Sequence, residues 1–244
     1  MFFYGFDWSY LILVLPAMIF SLWASSRVNS TFRKYSQKPT FRGMTGAQAA
    51  QEVLRSNGIY NVRIERVSGD LTDHYDPKAN VIRLSDAVHD STTPAAIGVA
   101  AHEAGHAVQY ATNYGPIHFR AAIVNVTNVA SKLAIPLILI SFLLMSLEFF
   151  FPFRQFLYYL AMAGVLGFGL TVVFQLVTLP TEYNASNRAM QAIARSGLLT
   201  PEERKDAKKV LSAAALTYVA ATAVALAQLL RLIAIFGRGR RRND

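Results

Sequence analysis

In the stretch "VAAHEAGHAVQY", residues 99 to 110, two histidines stand four positions apart and a glutamate follows the first. Ser91, Thr92 and Thr93 supply cap residues and Pro94 suits a first turn, and the alanine-rich run behind them contains no breaker. This pattern starts and sustains a helix. On a helix, His102 and His106 lie one above the other on one face, so their imidazoles converge on a single point. That is the geometry of two ligands to one zinc ion. Glu103 is placed to reach a water at the metal rather than the metal itself, and to take that water's proton while zinc lowers its pKa. The chemistry implied is hydrolysis at a carbonyl. Gly105 and the neighbouring alanines keep the helix thin enough for a substrate or a second helix to approach. The competing reading is accidental register, and three fixed positions alone do not exclude it.

A catalytic zinc site needs a third protein ligand. With no cysteine in 244 residues, that ligand must be an imidazole or a carboxylate. "TLPTEYNASNRAMQAIARSG" follows a long apolar region. Pro180 is expected to start a second helix there, with Glu182 in its first turn and Ser186 one turn further on the same side. Asn184 and Arg188 are candidate partners that orient the ligands. The alternative makes Glu182 an ordinary helix-start carboxylate favoured by the macrodipole.

The elements that would bring these segments together follow from composition. Hydrophobic residues make up 53% of the chain and charged residues 16%, which points to a membrane protein with one small extramembrane region. The net charge of +9 sits mostly beside apolar runs, where basic residues act as topology signals and contacts to anionic lipid. Nucleic acid is therefore not expected as a partner. An apolar anchor spans about Trp8 to Ala24, and Arg27, Arg33, Lys34, Lys38 and Arg42 follow it with no acidic residue among them. The positive-inside rule places that flank in the cytoplasm. Two further apolar stretches, about Leu133 to Phe151 and Phe156 to Leu179, form a membrane hairpin with Arg154 at its tip. A fourth, Val210 to Phe236, is alanine-rich, contains Gln228 and Arg231, and ends in "GRGRRRND". It either spans or lies packed along the bilayer.

Between anchor and hairpin, "MTGAQAAQEVLRSNGI" reads as an amphipathic helix capped by Thr45 and stopped at Asn57-Gly58. "YNVRIERVSG" and "NVIRLS" read as strands, and "DLTDHYDPKA" as the turn region between them. His74, Tyr75 and Asp76 could stand near the cleft and donate to a developing oxyanion but are assigned to that turn, His89 to the surface and His118 to a loop or the membrane interface.

"AAHEAGHAVQ", the two-span hairpin and "LPTEYNASNRA", with "LTDHYDP" before and "AALTYVAA" after them, together resemble the YugP-like family of bacterial membrane zinc metallopeptidases. The similarity to the HtpX and CAAX prenyl protease group is more distant. The resemblance covers nearly the whole chain. It implies an HExxH gluzincin, with His102, His106 and Glu182 on Zn2+ and Glu103 as general base. Ser186 and Asn187 stand where an HtpX-like chain often carries an acidic residue. The strand "NVIRLS" is expected to be the edge beside the metal, able to align an extended substrate by main-chain pairing.

The expected fold is a mainly α membrane protein with a small α+β zincin-like cytoplasmic domain and three to four membrane helices. Its expected parts are an anchor (1–26), a zincin-like catalytic region (27–132), a transmembrane hairpin (133–179), a third-ligand helix and linker (180–209), and an apolar helix with basic tail (210–244). The expected function is a multi-pass zinc metalloendopeptidase of the cell membrane, with its site on the cytoplasmic side, acting on membrane or membrane-proximal proteins. The alternative is a noncatalytic membrane scaffold stabilised by the metal. A metal transporter ranks below both, because the first three spans hold almost no ionisable residues.

Overall fold

A computed structural model describes residues 8–69 and 72–240, so the start of the anchor and the end of the basic tail lie outside the described residues. The protein is mainly helical with one small sheet. A π-helical turn, Tyr10–Val14, leads into α1 (Leu15–Tyr35). Helices α2 (Gly46–Ser56), α3 (Asp86–His89) and α4 (Pro94–Ala111) follow, then α5 (Gly115–Ser146), α6 (Arg154–Ser196) and α7 (Pro201–Arg240). Strands β1 (Arg63–Val67), β2 (His74–Asp76) and β3 (Val81–Ser85) lie between α2 and α3. Among the described residues, four helices are long and apolar enough to cross a membrane, by length and composition, and α7 is one of them.

The chain divides into two compact units. One unit comprises the described residues up to Leu22, Phe119–Thr178, and those from Tyr218 onward. Here α5 and α6 pack closely because α6 is small where they meet: a Cβ built on Gly164 would lie 2.8 Å from the Ala134 carbonyl oxygen. Small residues of this kind let membrane helices approach. Ile138, Ala161, Val165, Leu232 and Phe236 form its buried cluster, which seats the end of α7 on the hairpin. Leu139, Leu143, Phe156 and Leu166 are exposed, as a lipid-facing surface requires.

The other unit, Trp23–His118 with Leu179–Thr217, carries every candidate site residue. Thr45 and Gln48 form a capping box at the start of α2, satisfying two orphan donors at once. Asn57 and Gly58, the latter at φ 73°, end the helix. The Thr93 hydroxyl accepts from Ala96 N and Pro94 occupies the first turn of α4. Ala96, Ile97, Ala100, Ala101 and Ala104 of α4 pack in one core with Val53 and Leu54 of α2, Ile82 and Leu84 of β3, and Ala189, Ala192 and Ile193 of α6.

Two local expectations are corrected. The sheet order is β1-β3-β2, with β1 parallel and β2 antiparallel to β3. "NVIRLS" is therefore the central strand, not an edge; β1 is one edge, and the "HYD" expected to be turn is the other. His74 pairs with Arg83 and Tyr75 with Ile82, and the Asp73 carboxylate accepts from Ser85 N and Oγ at 2.7 and 3.0 Å. Those contacts hold a three-residue strand that local propensity does not favour. The second correction concerns Pro180, which does not start a helix but sits inside α6. Proline removes one main-chain donor from a helix, and membrane helices tolerate this when neighbouring packing holds the segment.

Candidate metal centre

Helix α4 presents His102 and His106 on one face, and α6 brings Glu182 against them across 80 residues of sequence. Glu182 Oε2 lies 3.2 Å from His102 Nε2 and 3.6 Å from His106 Nε2. One ligand atom from each residue falls within 4.8 Å of the others, so the three together can hold a metal ion. The two imidazoles meet edge to face, with ring centroids 4.7 Å apart. Two neutral imidazoles and a buried carboxylate form a donor set that suits zinc. Glu182 is 2% exposed, and a carboxylate so buried needs a cation or strong hydrogen bonds to compensate its charge.

The far side of each ring is also tied. His102 Nδ1 lies 3.0 Å from Ser186 Oγ, and His106 Nδ1 lies 3.0 Å from Gln109 Oε1. Gln109 is fully buried and its Nε2 donates to the Thr181 carbonyl at 2.7 Å and to Asn184 Oδ1 at 3.0 Å. A carbonyl can only accept, so the amide nitrogen must face Thr181 and the amide oxygen must face His106. That oxygen in turn requires a proton on His106 Nδ1, which leaves Nε2 free as a ligand. Arg188 Nε donates to Asn184 Oδ1 at 2.7 Å and completes the chain.

Glu103 points elsewhere. Its Oε2 accepts from the Tyr75 main-chain N–H at 3.0 Å, and the residue is 9% exposed. The outer edge of β2 thus steadies a carboxylate that sits next to the candidate ligands without joining them. Burial by itself lowers the His106 imidazole from its ordinary value. The Glu182 hydrogen bond, the charges of Glu103 and Glu182 and the Gln109 contact outweigh it, and the net direction is up. Burial pushes the Asp73 carboxyl up; the two Ser85 bonds pull it back, and the nearby Glu103 charge adds to the rise.

Close approach of the helices makes the centre possible. A Cβ on Gly105 would lie 2.6 Å from the Ala185 carbonyl oxygen, so only glycine fits between His102 and His106 where α6 crosses. The structure brings together His102, His106 and Glu182, with Glu103 beside them, and places Ser186, Asn184 and Arg188 around them. His74 lies on β2 and His89 contacts Asp90, while His118 lies in the first turn of α5 rather than in a loop and packs edge-on to Tyr110. The sequence reading missed Gln109 and the Tyr75 N–H. Gln109 carried a signal, being a polar residue three positions past His106 on the helical face that carries both histidines.

The sequence model of a family described as "Putative neutral zinc metallopeptidase" matches residues 10–237. The "Putative membrane protease YugP" of Bacillus subtilis (strain 168) is 44% identical over 234 residues, covering 96% of this chain and 99% of that protein. No solved structure matches the chain.

Proposed function

We propose, for a chain that belongs to this neutral zinc metallopeptidase family, that it is a gluzincin-type endopeptidase cutting membrane or membrane-proximal proteins at the cytoplasmic face. The single observation that carries the reading is the convergence of His102, His106 and Glu182 from two helices onto one point. These three residues would hold zinc, which when bound lowers the pKa of a water and polarises the carbonyl under attack.

The remaining work falls to the chain. Glu103 Oε1 is left to accept the proton of the attacking water while Tyr75 N–H fixes Oε2, and the same carboxyl can return that proton to the leaving amine. Gln109 holds the His106 imidazole in the tautomer that leaves Nε2 free, and Ser186 anchors Nδ1 of His102. Burial of Glu182 and Glu103 keeps bulk water from competing for both carboxylates. Edge strand β2 lies beside Glu103 and offers main-chain groups to an extended peptide. The expected catalytic region, residues 27–132, and third-ligand segment, 180–209, would therefore act as one functional part, with the apolar helices holding it at the bilayer.

A noncatalytic scaffold would not need Glu103, since a closed structural zinc site uses four protein ligands and no base. The test is zinc content and cleavage of a casein-type substrate by detergent-purified protein, with Glu103→Gln beside it. The variant should keep its zinc and lose about 10²- to 10⁴-fold in hydrolysis. Equal hydrolysis by the two proteins would remove the protease reading.

A further inference from the structure

We infer that a basic-lined cavity between α1 and α7 binds the phosphate of an anionic phospholipid headgroup. The cavity has a volume of about 590 Å³ and is lined by Arg27, Lys34, Lys205, Lys208 and Lys209. That size falls within the roughly 300–1,000 Å³ of small-molecule sites. The helical spacing puts these residues on facing sides: Arg27 and Lys34 stand seven apart on α1, and Lys205, Lys208 and Lys209 stand three and four apart on α7. The hydroxyls of Thr31 and Ser212 join the lining.

The charge is poorly compensated from within. Among the described residues, the cluster's ion pair is Lys209 with Asp206, at 3.1 Å, and Arg27, Lys34, Lys205 and Lys208 have none. Lys34 and Lys209 even share one ring, their ammonium groups lying 5.5 and 5.4 Å from the centroid of Tyr35. Like charges gathered this way repel each other unless an anion joins them. A phosphate, with several acceptor oxygens, is the anion whose chemistry answers four ammonium groups, a guanidinium and the two hydroxyls of Thr31 and Ser212.

Position selects lipid over free phosphate. Both helices are among those able to span the membrane, and the cavity lies where each changes from charged to apolar. Its wall continues along α7 from Lys209 into Ala213 and Leu216, which suits an acyl chain. On α1, Trp23 stands one turn before Arg27, whose guanidinium lies 5.4 Å from its ring centroid. Tryptophan at this depth marks the headgroup boundary.

The chain has two tryptophans, so Trp8→Phe leaves Trp23 as the reporter. The full-length protein is reconstituted in phosphatidylcholine vesicles containing increasing brominated phosphatidylglycerol, and quenching of Trp23 gives the relative affinity for the two lipids. One basic residue near an anionic surface is worth about fivefold, so the preference for phosphatidylglycerol should be at least about fivefold. Lys205, Lys208 and Lys209 are exposed, and changing all three to Gln should bring the two lipids close to equality without unfolding the protein. Changing exposed Arg55, Lys78 and Arg195 to Gln, an equal loss of charge elsewhere, should leave the preference intact. Equal affinities in the parent protein, or equal loss in both triple variants, would overturn the site. Relief of quenching by millimolar glycerol 3-phosphate, but not by chloride of equal ionic strength, would reassign the cavity to a soluble phosphate ester and overturn the lipid assignment.

Discussion

Gly105→Ala should separate the two halves of the metal centre. The added Cβ would lie 2.6 Å from the Ala185 carbonyl oxygen and 3.2 and 3.3 Å from Ala185 C and Cα. These are main-chain atoms in mid-helix and cannot rotate away. Ordinary contact begins near 3.4 Å, so α4 and α6 must part by about 0.8 Å at this point, whereas metal–ligand distances tolerate only about 0.2 Å. Glu182 stands three residues before Ala185 and Ser186 directly after it, so both move with the strained segment. Overpacking of this kind costs roughly 1–3 kcal/mol, and if the strain falls on the ligands zinc affinity drops by about tenfold to a hundredfold. Gly98→Ala is the control on the same helix. Its Cβ would meet the Ala207 Cβ at 3.4 Å, and replacing a mid-helix glycine by alanine favours the helix by up to about 1 kcal/mol. Competition with a fluorescent zinc chelator and thermal unfolding of both variants measure the two effects. Unchanged zinc affinity in Gly105→Ala, or equal damage from the two substitutions, would refute the reasoning.

Glu182→Ala should sharply lower zinc occupancy and abolish hydrolysis, while Glu202→Ala, at an exposed position on α7, should change neither; metal analysis of the two proteins decides. Glu203 is a poorer control than its sequence suggests, since its carboxylate accepts from Phe41 N and Thr200 N. Glu203→Ala should cost about 1 kcal/mol of stability and leave the metal untouched, as thermal unfolding at matched zinc occupancy would show. Ser186→Ala and Gln109→Leu should each weaken zinc binding by about 10- to 100-fold, and chelator titration would expose a purely structural role by finding no change. Reporters placed after residue 42 and near residue 195 should report cytoplasm and one near Arg154 the outside. An outside signal from the segment around His102 would contradict the proposed substrate class.

The part of the centre that was legible in the sequence is the part that is local. His102, Glu103 and His106 are fixed by helical spacing, and caps at Thr93 and Pro94 announce the helix that carries them. Glu182 was legible as a candidate through need, because a catalytic zinc site with two imidazoles calls for a third protein ligand and this carboxylate follows the hairpin. The strands were harder to read. A central strand is buried on both faces and ordinarily reads as a continuous apolar run, but "VIRLS" is interrupted by Arg83, whose charge is met by Asp76 at 3.0 Å and Glu65 at 3.7 Å. Strand β2 is held by its pairing to β3 and by the Asp73 bonds to Ser85, neither of which leaves a local pattern. Pro180 read as a helix start because proline favours first turns, and tertiary packing overrode that preference. Gln109 shows its role only when Thr181, 72 residues away, is seen at its amide.

A structure of the full-length protein with zinc bound, the metal located by its anomalous scattering, tests the central claim most directly. The ion should lie between the Nε2 atoms of His102 and His106, with a Glu182 carboxylate oxygen at roughly 2.0–2.2 Å and a position left open for water. A Glu182 carboxylate beyond about 4 Å from the ion, far outside that ligand range, or a fourth protein ligand closing the site, would contradict it.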